Sequence, residues 1–482
     1  MKRLLLPALL VYSVILFRAS HQSVTLDEAD AYLGFSTGEP HFTYFPHSSN
    51  HVLNSLLSRH ITALAGLSPL TFRSAALIGA ALYLLAAAWI ATRLAGVPAN
   101  RPLQFLGFAV LTLNPFILDY LVAARGYALA LGFLAAAVTL AWRMIEGKPS
   151  LLNSALLSIC CGLSFSANFS FAFALGSTVA AFLLTLLVIR TPLTRWLMIA
   201  AATTLPAVAV AYAIVAEMLR EFPRSQLYYG AETWAESWTE MLDAVFPTRN
   251  YSITAVNLEP LLTAARHAAP YLIWVPLAIA LWAAFKSPAW PIRFVWLALI
   301  FTFAAHSLAH AVNNLLLPMD RTGLFIAFFL SILAVYAANS APAWQARAAA
   351  ASVLCAALAV FALAFHPTYF RIWTFDLDVD RGFLSLAQYT RDHPEAKIES
   401  VGSNWRYCGT YNFYNRAWNA NIPKCDFIEL DKPALESRSA YFLHAQGQSQ
   451  FISKGTLDII YQGPVSGLVV GVVRTNKNEP PE

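Results

Sequence analysis

Three carboxylates stand within four residues in the segment Leu26-Asp27-Glu28-Ala29-Asp30-Ala31-Tyr32. The segment follows closely on an apolar run at 4–18, which places it at a membrane surface. There the three charges oppose one another and the anionic headgroups, so the cluster is costly unless it meets a cation or handles protons. The plain alternative is a solvated acidic loop. Farther along comes His47-Ser48-Ser49-Asn50-His51-Val52-Leu53-Asn54, and five of the eleven histidines (His21, His41, His47, His51, His60) fall in the one loop 19–72. Histidines beside carboxylates suit a divalent-metal site or an acid–base relay. The spacing of His47 and His51 would put both rings on one helical face, but Ser48-Ser49-Asn50 also reads as a helix start. The same residues could touch a substrate without any metal.

Arginines at span ends suggest a different chemistry. Asp119 and Arg125 close and open adjacent apolar runs in Leu118-Asp119-Tyr120-Leu121-Val122-Ala123-Ala124-Arg125-Gly126-Tyr127. Snorkelling accounts for such residues in general. An arginine at a helix N-terminus, however, opposes the helix dipole, and a bound anion offsets that. Arg321 repeats the arrangement in Leu317-Pro318-Met319-Asp320-Arg321-Thr322. Two such arginines suit a lipid-linked phosphate or pyrophosphate. His306 and His310, one turn apart, read first as a hydrogen-bonded pair within a span.

The elements that must position these residues are membrane helices. Of 482 residues, 58% are hydrophobic and 12% charged, against roughly 25% charged in ordinary globular chains. That excludes a soluble enzyme, a disordered scaffold and a secreted disulfide-rich module. Eleven apolar runs of span length lie near 4–18, 73–92, 103–119, 126–142, 151–167, 169–189, 196–216, 269–285, 294–312, 322–339 and 348–366. The first could be a signal peptide, but Arg18 stands where a small residue is expected at a cleavage site, which favours a retained anchor. With the N-terminus inside, the connections 1–3, 93–102, 143–150, 190–195, 286–293 and 340–347 hold eleven basic residues and one acid, Glu146, while the outer connections hold thirteen acids. The positive-inside rule supports this orientation at every inner segment. It predicts an inner-membrane, multi-pass protein with long outer loops at 19–72 and 217–268. The net charge of +5 is spread over inner loops, so nucleic acid is not the expected partner.

The chain divides at His366-Pro367. Residues 1–366 form the expected membrane domain. Residues 367–482, with twelve basic and thirteen acidic residues, read as a small extracytoplasmic α+β domain. Its alternating runs at Lys397–Val401, Ala440–Leu443, Leu457–Tyr461 and Leu468–Val473 are the predicted strands. Cys160, Cys161 and Cys355 lie in apolar spans. Cys408 and Cys425, seventeen residues apart in the polar tail, are expected to form a bridge next to Tyr411, Phe413, Tyr414 and Trp418.

In order and spacing, residues 1–335 resemble the C-type (GT-C), multi-span glycosyltransferases that use polyprenyl-phosphate sugars. They are similar to the protein O-mannosyltransferases and the lipid A aminoarabinose transferases. Asp27-Glu28 matches the family's acidic pair after span one, with Tyr32 as the following aromatic. Asn50-His51-Val52-Leu53 resembles its histidine motif, without the proline that often follows. Asp119 matches the second acidic position, Arg125-Gly126-Tyr127 opens span four, and Pro318 to Arg321 resembles the late proline-and-arginine segment. The resemblance implies a fold of membrane helices with two amphipathic elements in the first outer loop. It also implies an inverting transfer, on the outer face, from a polyprenyl-phosphate-linked sugar to a lipid, glycan or protein acceptor. In that reading Asp27 and Asp119 are catalytic. Glu28, Tyr32, His47, Asn50, His51, Arg125, Tyr127 and Arg321 bind substrate, Glu28 by orienting the acceptor. No cofactor is fixed by the sequence, with a divalent metal ion as the candidate. The rival functions are a transporter or flippase and a polymerase or ligase of lipid-linked saccharides.

Overall fold

The computed structural model describes residues 2–96, 100–286, 289–428, 438–446, 448, 452 and 457–474. The chain folds as two compact units. The first comprises Met1–Phe17, Tyr44–Leu57 and Ser74–His366, and the second Arg18–Thr43, Ser58–Arg73 and Pro367–Glu482.

Among the described residues, nine helices are long and apolar enough to cross a membrane: Lys2–His21, Ser74–Leu94, Tyr127–Glu146, Phe169–Val188, Leu193–Arg220, Glu259–Lys286, Trp290–Asn313, Asp320–Ser340 and Trp344–Ala364. The run at 103–119 is not one straight helix. Arg101–Thr112 and Pro115–Val122 meet at 59°. Asn114 starts the second helix by accepting the Phe116 N–H at 3.0 Å, and Pro115, at its first position, has no N–H to continue the preceding turn. The run at 151–167 is the 17-residue helix Leu151–Ala167. In the first unit, Ser74–Leu94 and Tyr127–Glu146 pack backbone to backbone. A Cβ on Gly79 would collide with the Ala128 backbone, and one on Gly132 with the Gly79 carbonyl. Small residues permit this approach where lipid supplies no hydrophobic drive.

The second unit holds a five-stranded sheet of β1 (Val401–Ser403), β2 (Cys425–Phe427), β3 (Ala440–His444), β4 (Leu457–Gln462) and β5 (Leu468–Val473). Its order is β2-β1-β3-β5-β4, with β1 parallel to both neighbours and the other two pairings antiparallel. Three predicted strands match β3, β4 and β5. The one predicted at Lys397–Val401 begins only at Val401, because Lys397 takes a left-handed conformation at φ +38°. Its successor β2, only three residues long, carries too few positions for alternation to be read. Helix Trp405–Trp418 joins β1 to β2, and Phe383, Tyr411 and Phe442 stack at centroid separations of 5.0 and 5.1 Å. Cys408 and Cys425 are bridged, with Cα atoms 5.4 Å apart. The Asn412 side chain brackets the bridge, accepting the Cys425 N–H at 2.8 Å and donating to its carbonyl at 3.0 Å. This unit is larger than the tail alone, since it takes in 18–43 and 58–73 from the segment expected to belong wholly to the membrane domain.

Candidate functional site

In the first unit, two helix starts are clamped together. Helix Val52–Ala65 begins as the Ser55 N–H bonds the His51 carbonyl at 2.9 Å. Ahead of it Asn50, fully buried, donates to the Phe45 carbonyl and accepts the Ser55 hydroxyl, both at 3.0 Å. Asn50 therefore shapes the turn. His47 accepts the Ser49 N–H at 3.1 Å and lies outside the helix, so His47 and His51 do not share a helical face. The turn meets Ala123–Tyr127: Asn54 donates to the Ala124 carbonyl at 3.0 Å, and Arg125 to the Ser49 carbonyl at 3.3 Å. Gly126 is required here. Its φ is +72°, and a Cβ would strike the Ala167 carbonyl oxygen and lie 2.9 Å from the His51 Cβ.

Around this junction, aromatic rings and positive charges converge. His51 meets Tyr127 edge-on at 5.5 Å, and Tyr127 lies 4.9 Å from Tyr120. The Arg321 guanidinium covers the Tyr229 ring at 4.3 Å, within cation–π range. The Tyr229 hydroxyl donates to Asp320 at 3.4 Å, and Asp320 itself is held at φ +45°. Burial, then Arg125, then Arg321 push the His51 imidazole well below its ordinary pKa. Burial and Arg125 do the same, less strongly, to His47. Burial and the two guanidiniums together disfavour a charged His51 ring. Among the described residues no group of three or more His, Cys, Asp or Glu side chains is disposed to hold a metal. The donor set of His47 and His51 thus does not fit a metal ion.

Asp119 has a partner that sequence reading missed. His366 Nε2 lies 3.0 and 3.2 Å from its two carboxylate oxygens, and His366 Nδ1 lies 2.8 Å from the Ala364 carbonyl oxygen. Both residues are buried. Both ring nitrogens thus face oxygen atoms, which fixes the ring's orientation. The only sequence signal was the histidine at the composition break.

In the second unit, the acidic segment is a fully capped turn. Thr25 accepts the Glu28 N–H at 3.2 Å, and Glu28 returns the bond to the Thr25 N–H at 3.0 Å, forming a capping box at the start of helix Leu26–Ala31. Arg73 grips both Glu28 oxygens, at 2.9 and 2.7 Å. The same guanidinium donates to the carbonyls of Ala19, Gln22 and Ser23 at 2.8–3.1 Å. Glu28 has no exposed surface and both its oxygens are engaged, which corrects its expected role in orienting an acceptor. Tyr32 packs its ring on Phe72 and Phe413, at 5.2 and 5.5 Å. Asp27 remains half-buried on this clamped turn. Asp376, from the tail, accepts the Leu26 N–H at 2.7 Å.

No family model and no curated protein matches this chain. Among solved structures it is similar to ArnT from Cupriavidus metallidurans bound to undecaprenyl phosphate, with a TM-score of 0.43 and 14% identity over 100% of this chain and 99% of that one. It is similar to the same protein in the apo state, with a TM-score of 0.43 and 13% identity over 98% of each chain. It is also similar to an Archaeoglobus fulgidus oligosaccharyltransferase tethered to an acceptor peptide, with a TM-score of 0.40 and 12% identity over 87% of this chain and 64% of that one.

Proposed function

We propose that this chain is an inverting glycosyltransferase that moves a sugar from a polyprenyl-phosphate carrier to an envelope acceptor on the outer face of the membrane. One observation carries the reading: buried Arg125, bonded to the Ser49 carbonyl beside His51 and Tyr127, and Arg321, laid over the Tyr229 ring, both stand among aromatic rings of the first unit. Two guanidiniums in a desolvated aromatic setting match the charge that builds on a leaving phosphate. Asp27 is the proposed base. It takes the proton of an acceptor hydroxyl as that oxygen bonds the anomeric carbon from the face opposite the phosphate. The bond from carbon to phosphate oxygen breaks, and polyprenyl phosphate leaves with the electron pair. Asp119 acts through His366, as a buried pair that fixes the helix leading to Arg125.

The proposed orientation has the N-terminus in the cytoplasm and the 217–268 loop and the 367–482 tail outside. Reporter fusions after Arg101, Lys148, Arg195 and Lys286 should read inside, and fusions in the tail outside; a tail fusion reading inside overturns it. Function is tested by comparing envelope glycans and glycolipids in cells with and without this protein. Loss of one sugar substituent is expected, and it names donor and acceptor class. The purified chain should then release that sugar from its polyprenyl phosphate. Movement of the lipid-linked sugar across vesicles without turnover would establish a transporter instead.

A further inference from the structure

The tail places one buried acid against the turn that carries Asp27. Asp376 is 1% exposed, and its Oδ2 accepts the Leu26 N–H at 2.7 Å. Leu26 is the first residue of helix Leu26–Ala31, so this bond satisfies a donor that the helix itself cannot. On the other side of the carboxyl group, the Thr410 hydroxyl lies 3.5 Å from Oδ1. Together with the Thr25–Glu28 capping box, it leaves the turn no freedom on either side of Asp27.

We infer that Asp376 is a positioning residue for Asp27: it accepts the Leu26 N–H and so fixes the turn from which Asp27 works. The neutral form follows from the surroundings. Burial, and then the charges of Asp27 and Glu28, push the Asp376 carboxyl well above its ordinary range, against the opposing pull of the Leu26 N–H and Thr410. A protonated Asp376 can give its proton to Thr410 while its other oxygen keeps the Leu26 bond, and it adds no third charge beside Asp27 and Glu28. The tail then has a part in the reaction that its sequence did not disclose. It supplies the hydrogen-bond acceptor that orients the proposed base.

The inference rests on the proposed role of Asp27, and the test separates the two. The full-length protein in nanodiscs is assayed for turnover of the sugar identified above and for binding of sugar-free polyprenyl phosphate. Asp376→Asn keeps the size and an acceptor oxygen without charge, and should retain turnover. Asp376→Glu keeps the acid but moves its oxygens by one methylene, and should lower kcat roughly tenfold or more, as displaced reacting groups do. Polyprenyl phosphate affinity should stay unchanged in both, a split that general unfolding would not produce. Asn and Glu variants that turn over alike, or an Asn variant less active than the Glu variant, overturn the inference. Asp27→Asn is the control. If it turns over normally, the reading of Asp27 as base fails and this inference falls with it. If it is inactive while Asp376→Glu is normal, only the inference about Asp376 fails.

Discussion

The two clusters differ in how they handle like charges. In the first unit, Arg125 bonds the Ser49 carbonyl next to buried His51, and Arg321 covers the Tyr229 ring. In the second, Asp376 from the tail meets the short helix that carries Asp27 and Glu28, where Arg73 answers Glu28 and the Leu26 N–H answers Asp376. The difference in chemistry is instructive. Arg321 rests on an aromatic face and Arg125 on a backbone carbonyl. A bidentate guanidinium answers a carboxylate and fixes its geometry. In the second cluster the Arg73–Glu28 pair holds the turn still.

The comparison breaks most severely at Arg73. Arg73→Leu leaves the Glu28 carboxylate buried without its partner, and should destabilise the second unit by about 3–5 kcal/mol, read by thermal unfolding. A smaller effect would mean that water or another group already answers Glu28. Next comes Asp27→Asn, which should cut turnover by at least on the order of a hundredfold while leaving polyprenyl phosphate affinity unchanged. Loss of affinity instead would assign Asp27 to binding.

Arg125→Ala and Arg321→Ala test the other cluster. Each should weaken polyprenyl phosphate binding by about 2 kcal/mol, or about 30-fold, in an equilibrium binding assay. Lysine should rescue only part, because a point charge cannot match the guanidinium fork. Normal affinity in both would make them interfacial anchors and end the contrast. The smallest expected change is at His51. His51→Gln keeps a neutral polar group, and should alter affinity by under about 1 kcal/mol if the ring is uncharged as its surroundings dictate. A large loss would show an imidazolium at work.

Several features were legible beforehand. The amphipathic stretch after His51 is helix Val52–Ala65, and the paired cysteines form their bridge. Other features were not legible. The sequence shows no local partner for Glu28, Tyr32 and Asn50, polar and aromatic residues of a membrane-surface loop. Their partners are Arg73, Phe413 and the Phe45 carbonyl, which only folding brings near. The bend at Asn114-Pro115 was also hidden, since hydropathy averaged over a span does not register one missing N–H.

What the sequence by itself determined is where helices enter and leave lipid. Solvation by hydrocarbon is local and additive, so about 20 apolar residues suffice to announce a span, and basic loops its expected side. Tertiary structure alone decided which buried charge answers which. Asp119 finds His366 across 247 residues, Leu26 finds Asp376 across 350, and Glu28 finds Arg73 across 45. A buried charge must be neutralised within about hydrogen-bond reach, and only the packing of distant segments settles what stands there.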